Sequence, residues 1–119
     1  TLEEDLINTM KQSVESEIYV VESFFNILRT GSGTTPHRHL EPFDKAYGIT
    51  DQKCSLVYYL SVGDQNCTEP GILRLYDPDV EILPSEGSIV IIPAGRKHSA
   101  VYNGKIDRIM IGVNFYSLT

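Results

Sequence analysis

From residue 18 onward the chain is a succession of short apolar and β-branched runs, at 18–29, 54–61, 71–76, 88–92, 99–102 and 107–117. Turn chemistry cuts them apart: "GSG" at 31–33, "GDQN" at 63–66, "DPD" at 77–79, "PSEG" at 84–87, "PAG" at 93–95 and "NG" at 103–104. Runs of this length suit strands better than helices, and Gly, Pro and Asn supply the conformations that tight reversals need. Asn103-Gly104, between two apolar runs, predicts a hairpin. Many short strands must bury their faces against one another, which points to a sandwich or a barrel.

The start of the chain is different. Thr1 and Glu4 have capping-box spacing, and Leu2, Leu6, Met10 and Val14 recur every four residues, with Ile7 widening the stripe. The spacing predicts one helix within residues 1–17, packed on the outside of a β domain over 18–119. A chain of 119 residues supports one core.

The formal charge of −6 argues against loose electrostatic binding to nucleic acid or an anionic membrane. No apolar run approaches the roughly 20 residues that span a bilayer, and "TLEEDLINTM" lacks the basic-then-apolar pattern of a signal peptide. The expectation is a cytoplasmic protein, with Cys54 and Cys67 as free thiols in a reducing compartment.

Candidate chemistry gathers on three histidines. His37 and His39 lie in "TPHRHLEPFD", and His98 lies far along the chain in "PAGRKHSAV". On an extended strand His39 and Glu41 share one face, two residues apart. With a distant histidine folded alongside, they form two imidazoles and a carboxylate. Such a set leaves open positions on iron(II) for a chelating cosubstrate and for oxygen. His37 shares the same parity, so it is an alternative ligand or a supporting partner. A tri-imidazole site of His37, His39 and His98 is therefore the second possibility.

The stretches "GSGTTPHRHLE" (31–41), "CSLVYYLS" (54–61), "EPGILRLYD" (69–77) and "PSEGSIVIIPAGRKHSAVYNGKIDRIMIGVNFY" (84–116) occur in order. Together they resemble the 2-oxoglutarate/Fe(II) dioxygenases of the prolyl 4-hydroxylase type. The resemblance implies a double-stranded β-helix (a jelly-roll) with one N-terminal helix. It also implies Fe(II), 2-oxoglutarate as cosubstrate, O2, and hydroxylation of a C–H bond with release of succinate. Carried over residue by residue, it implies His39, Glu41 and His98 as metal ligands, with Glu41 standing where aspartate is commoner. It implies Arg108 as the residue binding the distal carboxylate of 2-oxoglutarate, with help from the Tyr59 hydroxyl. A guanidinium fork suits a carboxylate, and a charge opening the apolar run "RIMIGVNF" needs a reason. Leu73 resembles an apolar wall of the cosubstrate pocket. Asn114 shares parity with Arg108 and Met110, and could approach the metal. Arg29 stands where some prolyl hydroxylases have a cosubstrate-binding tyrosine. The resemblance leaves the substrate open, as a peptide or protein side chain or a small molecule.

A competing resemblance is to metal-binding cupins that do not use 2-oxoglutarate. "GSGTTPHRH" has the glycine and His-x-His spacing of their first motif, with Asp44 the nearest substitute for its usual glutamate, and "GSIVIIPAGRKH" matches the second. Both families share the jelly-roll, so these motifs speak to fold more than to chemistry.

Overall fold

A computed structural model describes residues 1–29 and 31–119. Helix α1 (Leu2–Val14) begins with the expected capping box: the Thr1 hydroxyl accepts from the Glu4 amide and the Glu4 side chain reaches back. The strands follow as β1 (Ile18–Leu28), β2 (Ser32–His37), β3 (Lys53–Ser61), β4 (Leu73–Leu75), β5 (Val80–Ile82), β6 (Ile89–Pro93), β7 (His98–Tyr102) and β8 (Arg108–Ser117). A short helix, α2 (Pro42–Ala46), separates β2 from β3.

The strands make two four-stranded antiparallel sheets, in the orders β1-β8-β3-β6 and β2-β7-β4-β5. Consecutive strands change sheet repeatedly, and the two sheets face one another. This is the double-stranded β-helix with one N-terminal helix. Direct cross-strand partners share a face, so the register sorts the first sheet. Ser55, Val57 and Tyr59 of β3 line up with Asn114, Gly112 and Met110 of β8 on the inner face. Leu56 and Val113 pair on the outer face, where Leu6 and Met10 of α1 complete a buried cluster with Phe115. Each such fully buried side chain is worth about 1.5–3 kcal/mol. The mixed face of β3 thus lines an interior space and its apolar face meets the helix, as the alternation predicts.

One local expectation fails and another holds only in part. Asn103-Gly104 does not close a hairpin, because β7 and β8 belong to different sheets. Asn103 instead ties down the 67–70 loop: its amide N–H donates to the Glu69 carbonyl, its side-chain oxygen accepts from the Glu69 amide, and its NH2 donates to Thr68. The "GSG" signal is met in part: Gly31 (φ 81°) stands in a turn, while Ser32 and Gly33 are already in β2. A Cβ at Gly33 would stand 2.4 Å from the Ala100 carbonyl oxygen, so only glycine lets β2 lie this close to β7. Pro36 has no N–H for the ladder, and the register slips between Thr34 and His37.

No helix among the described residues is long and apolar enough to cross a membrane. Cys54 and Cys67 are both free.

Candidate metal centre and its cavity

β2 ends on His37, whose cross-strand partner is His98, the first residue of β7. His39 lies two residues beyond the strand. Its backbone N–H donates to the Ala94 carbonyl (2.8 Å), and the neighbouring Arg38 Nε donates to the Gly95 carbonyl (3.0 Å). These bonds fold the segment over the turn between β6 and β7 and bring His39 back to the other two rings. Ring centroids are 5.0 Å apart for His37–His39, 4.4 Å for His37–His98 and 4.8 Å for His39–His98. Ligand atoms of all three fall within 4.8 Å of one another.

The tautomers suit a metal. His37 Nδ1 lies 2.8 Å from the Thr35 carbonyl and His98 Nδ1 lies 2.9 Å from the Arg96 carbonyl. A carbonyl only accepts, so each Nδ1 carries the proton and each Nε2 presents its lone pair inward. His39 Nε2 and His98 Nε2 are 3.0 Å apart. Two nitrogens bound at about 2.1 Å and at right angles are about 3.0 Å apart, so the spacing fits neighbouring positions on one ion. Burial, then the His98 and His37 charges, lowers the His39 pKa to about 4. Burial also lowers that of His98, against the Arg96 carbonyl, which favours the cation. Both rings are therefore held neutral, the form that binds metal.

Glu41 is outside this group. The expected pairing of His39 with Glu41 assumed that the strand continues, but the chain leaves the sheet after His37. Glu41 is exposed and caps α2, its backbone N–H donating to Asp44 Oδ2 (2.8 Å). Among the described residues the metal-capable set is His37, His39 and His98, the tri-imidazole alternative. Asp44 is not a spare carboxylate either. It is fully buried, 3.0 Å from Lys53 Nζ, and accepts from the Tyr116 hydroxyl. Burial alone pushes its carboxyl upward, but the Glu41 amide, Tyr116 and Lys53 outweigh that and hold it below its ordinary value. The Asp44–Lys53 pair anchors the base of the segment that carries His39.

The histidines open onto a cavity of about 150 Å³ between the sheets, whose other walls include Ser55, Tyr59, Leu73, Met110 and Asn114. Asn114 does not offer a free amide to a metal: its oxygen accepts from Ser55 (2.6 Å) and its NH2 donates to Glu22 (2.7 Å). Tyr59 is 3% exposed, and burial raises its phenol pKa against the nearby Arg108 charge, so the hydroxyl stays protonated and able to donate.

Arg108, also on the inner face of β8, is 1% exposed. Its guanidinium carbon lies 5.4 Å from the Tyr59 ring centroid and 5.3 Å from that of Tyr102. Nη1 donates to the Gly71 carbonyl (2.8 Å), while Nε and Nη2 are buried with no hydrogen-bond partner among the described residues. Gly71 has φ 82°, and a Cβ there would stand 1.7 Å from Nη1. Arg29, by contrast, is exposed and pairs with Asp107 at 3.9 Å, away from the cavity.

Sequence reasoning missed Tyr102, Glu22 and the Asp44–Lys53 pair. Tyr102 fits the strand period like any core residue. Glu22 follows a bulge in β1 between Val20 and Glu22 that reverses its parity.

No known family pattern and no curated protein matches the sequence. Similarity appears among solved structures. A prolyl-4-hydroxylase from Pseudomonas putida is 19% identical with a TM-score of 0.65, over 96% of this chain and 62% of its own. The non-heme alpha-ketoglutarate-dependent epimerase SnoN from nogalamycin biosynthesis is 13% identical with a TM-score of 0.73, over 96% and 53%. A predicted oxalate decarboxylase from Thermotoga maritima is 19% identical with a TM-score of 0.55, over 91% and 74%. At these identities the likeness establishes the fold, shared by 2-oxoglutarate/Fe(II) oxygenases and cupins. The chain spans 45% of a 2OG-Fe(II) oxygenase family oxidoreductase from Burkholderia pseudomallei and about half of SnoN.

Proposed function

We propose that this chain is the catalytic core of a 2-oxoglutarate-dependent, non-heme iron oxygenase that hydroxylates a C–H bond of a side chain or small molecule. Arg108 carries the reading. A buried guanidinium with two unpartnered N–H groups is expensive to keep, on the order of several kcal/mol. A carboxylate of the cosubstrate would satisfy both groups at once.

In this reading His37, His39 and His98 hold the metal, with their Nδ1 protons fixed on backbone carbonyls for at least two of the three. Arg108 and the Tyr59 hydroxyl bind the distal carboxylate of 2-oxoglutarate. Leu73 and Met110 wall the space between and keep water out. Iron(II) with 2-oxoglutarate and O2 supplies the oxidising power, with succinate and CO2 as the products of the cosubstrate. The three imidazoles keep a second reading in play, a cupin-type metal enzyme or sensor that does not use 2-oxoglutarate, since no carboxylate joins the set among the described residues.

Anaerobic addition of 2-oxoglutarate to the iron(II) protein separates the two. The oxygenase should develop a weak visible band, then lose it on admitting oxygen with release of succinate, and N-oxalylglycine should occupy the site without turnover. Iron binding with neither the band nor succinate would leave the cupin reading standing.

A further inference from the structure

We propose that Glu22 is the substrate-recognition carboxylate of this cavity, and that the molecule oxidised carries a cationic group, an ammonium or a guanidinium. The inference rests on the oxygenase reading and specifies its substrate class. Glu22 pairs with Asn114, and Asn114 with Ser55, so the three residues form a row across β1, β8 and β3 on the inner face. Ser55 and Asn114 are each 4% exposed. The Ser55 hydroxyl donates to the Asn114 oxygen (2.6 Å), which turns the amide NH2 toward Glu22 Oε1 (2.7 Å). The row therefore has a direction: a buried serine orients a buried amide, and the amide holds one oxygen of an exposed carboxylate. Two buried polar residues are spent on aiming a side chain that would otherwise sample many rotamers.

The other carboxylate oxygen is left for a ligand. Glu22 makes no ion pair among the described residues, and no lysine or arginine lines the cavity. Glu22 Oε1 is bonded to Asn114, which walls the same cavity as the three histidines, so the carboxylate stands beside that cavity though not in its lining. The next inner position of β1 is Phe24, whose ring lies against Gly112: a Cβ there would come within 2.3 Å of two ring atoms. Gly112 thus seats the ring on the β8 backbone, where it lines the cavity and stays 40% exposed. An aromatic surface beside an aimed carboxylate is the pairing that recognises a cation rather than a neutral hydroxyl. The reading is then bipolar: Arg108, packed on the Tyr59 ring that walls the cavity, would meet an anionic cosubstrate, and Glu22, held by the cavity-lining Asn114, a cationic substrate.

The test uses nickel-loaded protein with N-oxalylglycine, titrated with L-lysine amide and L-arginine amide against their near-neutral counterparts, N-acetylated at the α-amine: Nα-acetyl-norleucine amide and Nα-acetyl-citrulline amide. Nα-acetylated lysine and arginine amides complete the set, so that only the side-chain charge differs. Glu22→Gln keeps an acceptor for Asn114 and so preserves the row. We expect the side-chain cations to bind at least about tenfold tighter than the neutral probes, and Glu22→Gln to erase that difference with metal content unchanged. Equal binding of charged and neutral probes, no binding of any cation, or unchanged selectivity in Glu22→Gln would overturn the proposal. Loss of nickel in Glu22→Gln would overturn it too, by making Glu22 a metal ligand. If N-oxalylglycine itself fails to bind, the oxygenase reading falls separately, and cation selectivity on the nickel protein alone still decides the role of Glu22.

Discussion

Replacing Arg108 with methionine should matter little without 2-oxoglutarate and much with it. In the ligand-free protein the substitution removes the bond to the Gly71 carbonyl and the stacking between Tyr59 and Tyr102. A charged hydrogen bond is worth about 1.5–3 kcal/mol and each ring contact about 0.5–1 kcal/mol. Against this, a buried cation with two unsatisfied N–H groups disappears, which returns several kcal/mol of desolvation. The terms nearly offset, so Arg108→Met should leave ligand-free stability within about 2 kcal/mol of wild type. With 2-oxoglutarate at a hundred times its dissociation constant, the wild type should gain about 2.7 kcal/mol. The variant should gain nothing, because a lost buried charge partner costs about 3–5 kcal/mol, two to three and a half decades of affinity. Urea unfolding of the zinc-loaded proteins, with and without 2-oxoglutarate, reads both quantities without redox chemistry. A variant that loses more than about 3 kcal/mol unliganded yet keeps the full increment would make Arg108 a structural residue and refute the assignment.

At the metal, His37→Ala, His39→Ala and His98→Ala should each weaken zinc binding by more than about a hundredfold, while Glu41→Ala should leave it nearly unchanged; competition with a chromophoric chelator checks this, and a severe loss in Glu41→Ala would restore the carboxylate as ligand. Acid should selectively weaken the metal-free protein. The His39 pKa is about 4 when folded against 6.5 unfolded, so below pH 6.5 the unfolded chain binds a proton that the folded chain refuses. That contribution is fully present above this value and is lost as pH falls toward 4. Urea midpoints of wild type and His39→Gln at pH 7.5 and pH 5 should diverge, and an equal fall in both would exclude His39 as the source. Lys53→Met should destabilise the fold by about 3–5 kcal/mol, since it strands the buried Asp44 charge; a midpoint shift of a few tenths would mean that Tyr116 and the Glu41 amide satisfy Asp44 unaided.

Period and turn chemistry made the β architecture legible, because alternation on β3 and the fourfold stripe on α1 both report which face is buried. Parity also groups residues on regular strands: Tyr59 falls with Ser55 and Val57, Arg108 with Met110, and the register sets Tyr59 opposite Met110 on the inner face; the roles given to Tyr59 and Arg108 came from the family resemblance and not from the period. The failures share one physical cause. Glu41 was placed by extending a strand that ends at His37, and nothing local announces that the His39 amide bonds to Ala94, 55 positions away (94 − 39). The bulge at Val21 reverses the parity of Glu22 in the same manner. Asn103-Gly104 has hairpin chemistry, but which sheet receives the next strand depends on the whole topology. Irregular backbone is where the period stops carrying information, and two of the residues missed or misplaced here, Glu22 and Glu41, adjoin such a point.

The three-imidazole set and the buried arginine bear on each other through charge. Two imidazoles and a carboxylate leave a bound divalent ion with one net positive charge, whereas three neutral imidazoles leave two. In the oxygenase reading a 2-oxoglutarate dianion would therefore meet a more positive metal than it would beside an ionised Glu41, and Arg108 would add a further cation at its far end. Both changes favour the dianion in a low-dielectric cavity, where Coulomb terms are several times their value in water. A cation at the substrate end is disfavoured by the same field unless a carboxylate intervenes. In the proposed reading Glu22 would supply that carboxylate from β1, the strand across β8 from Ser55. The lack of an acid among the three candidate ligands and the aimed acid beside Asn114 would then be two parts of one charge distribution. The negative charge that three imidazoles lack would stand where a cationic substrate needs it.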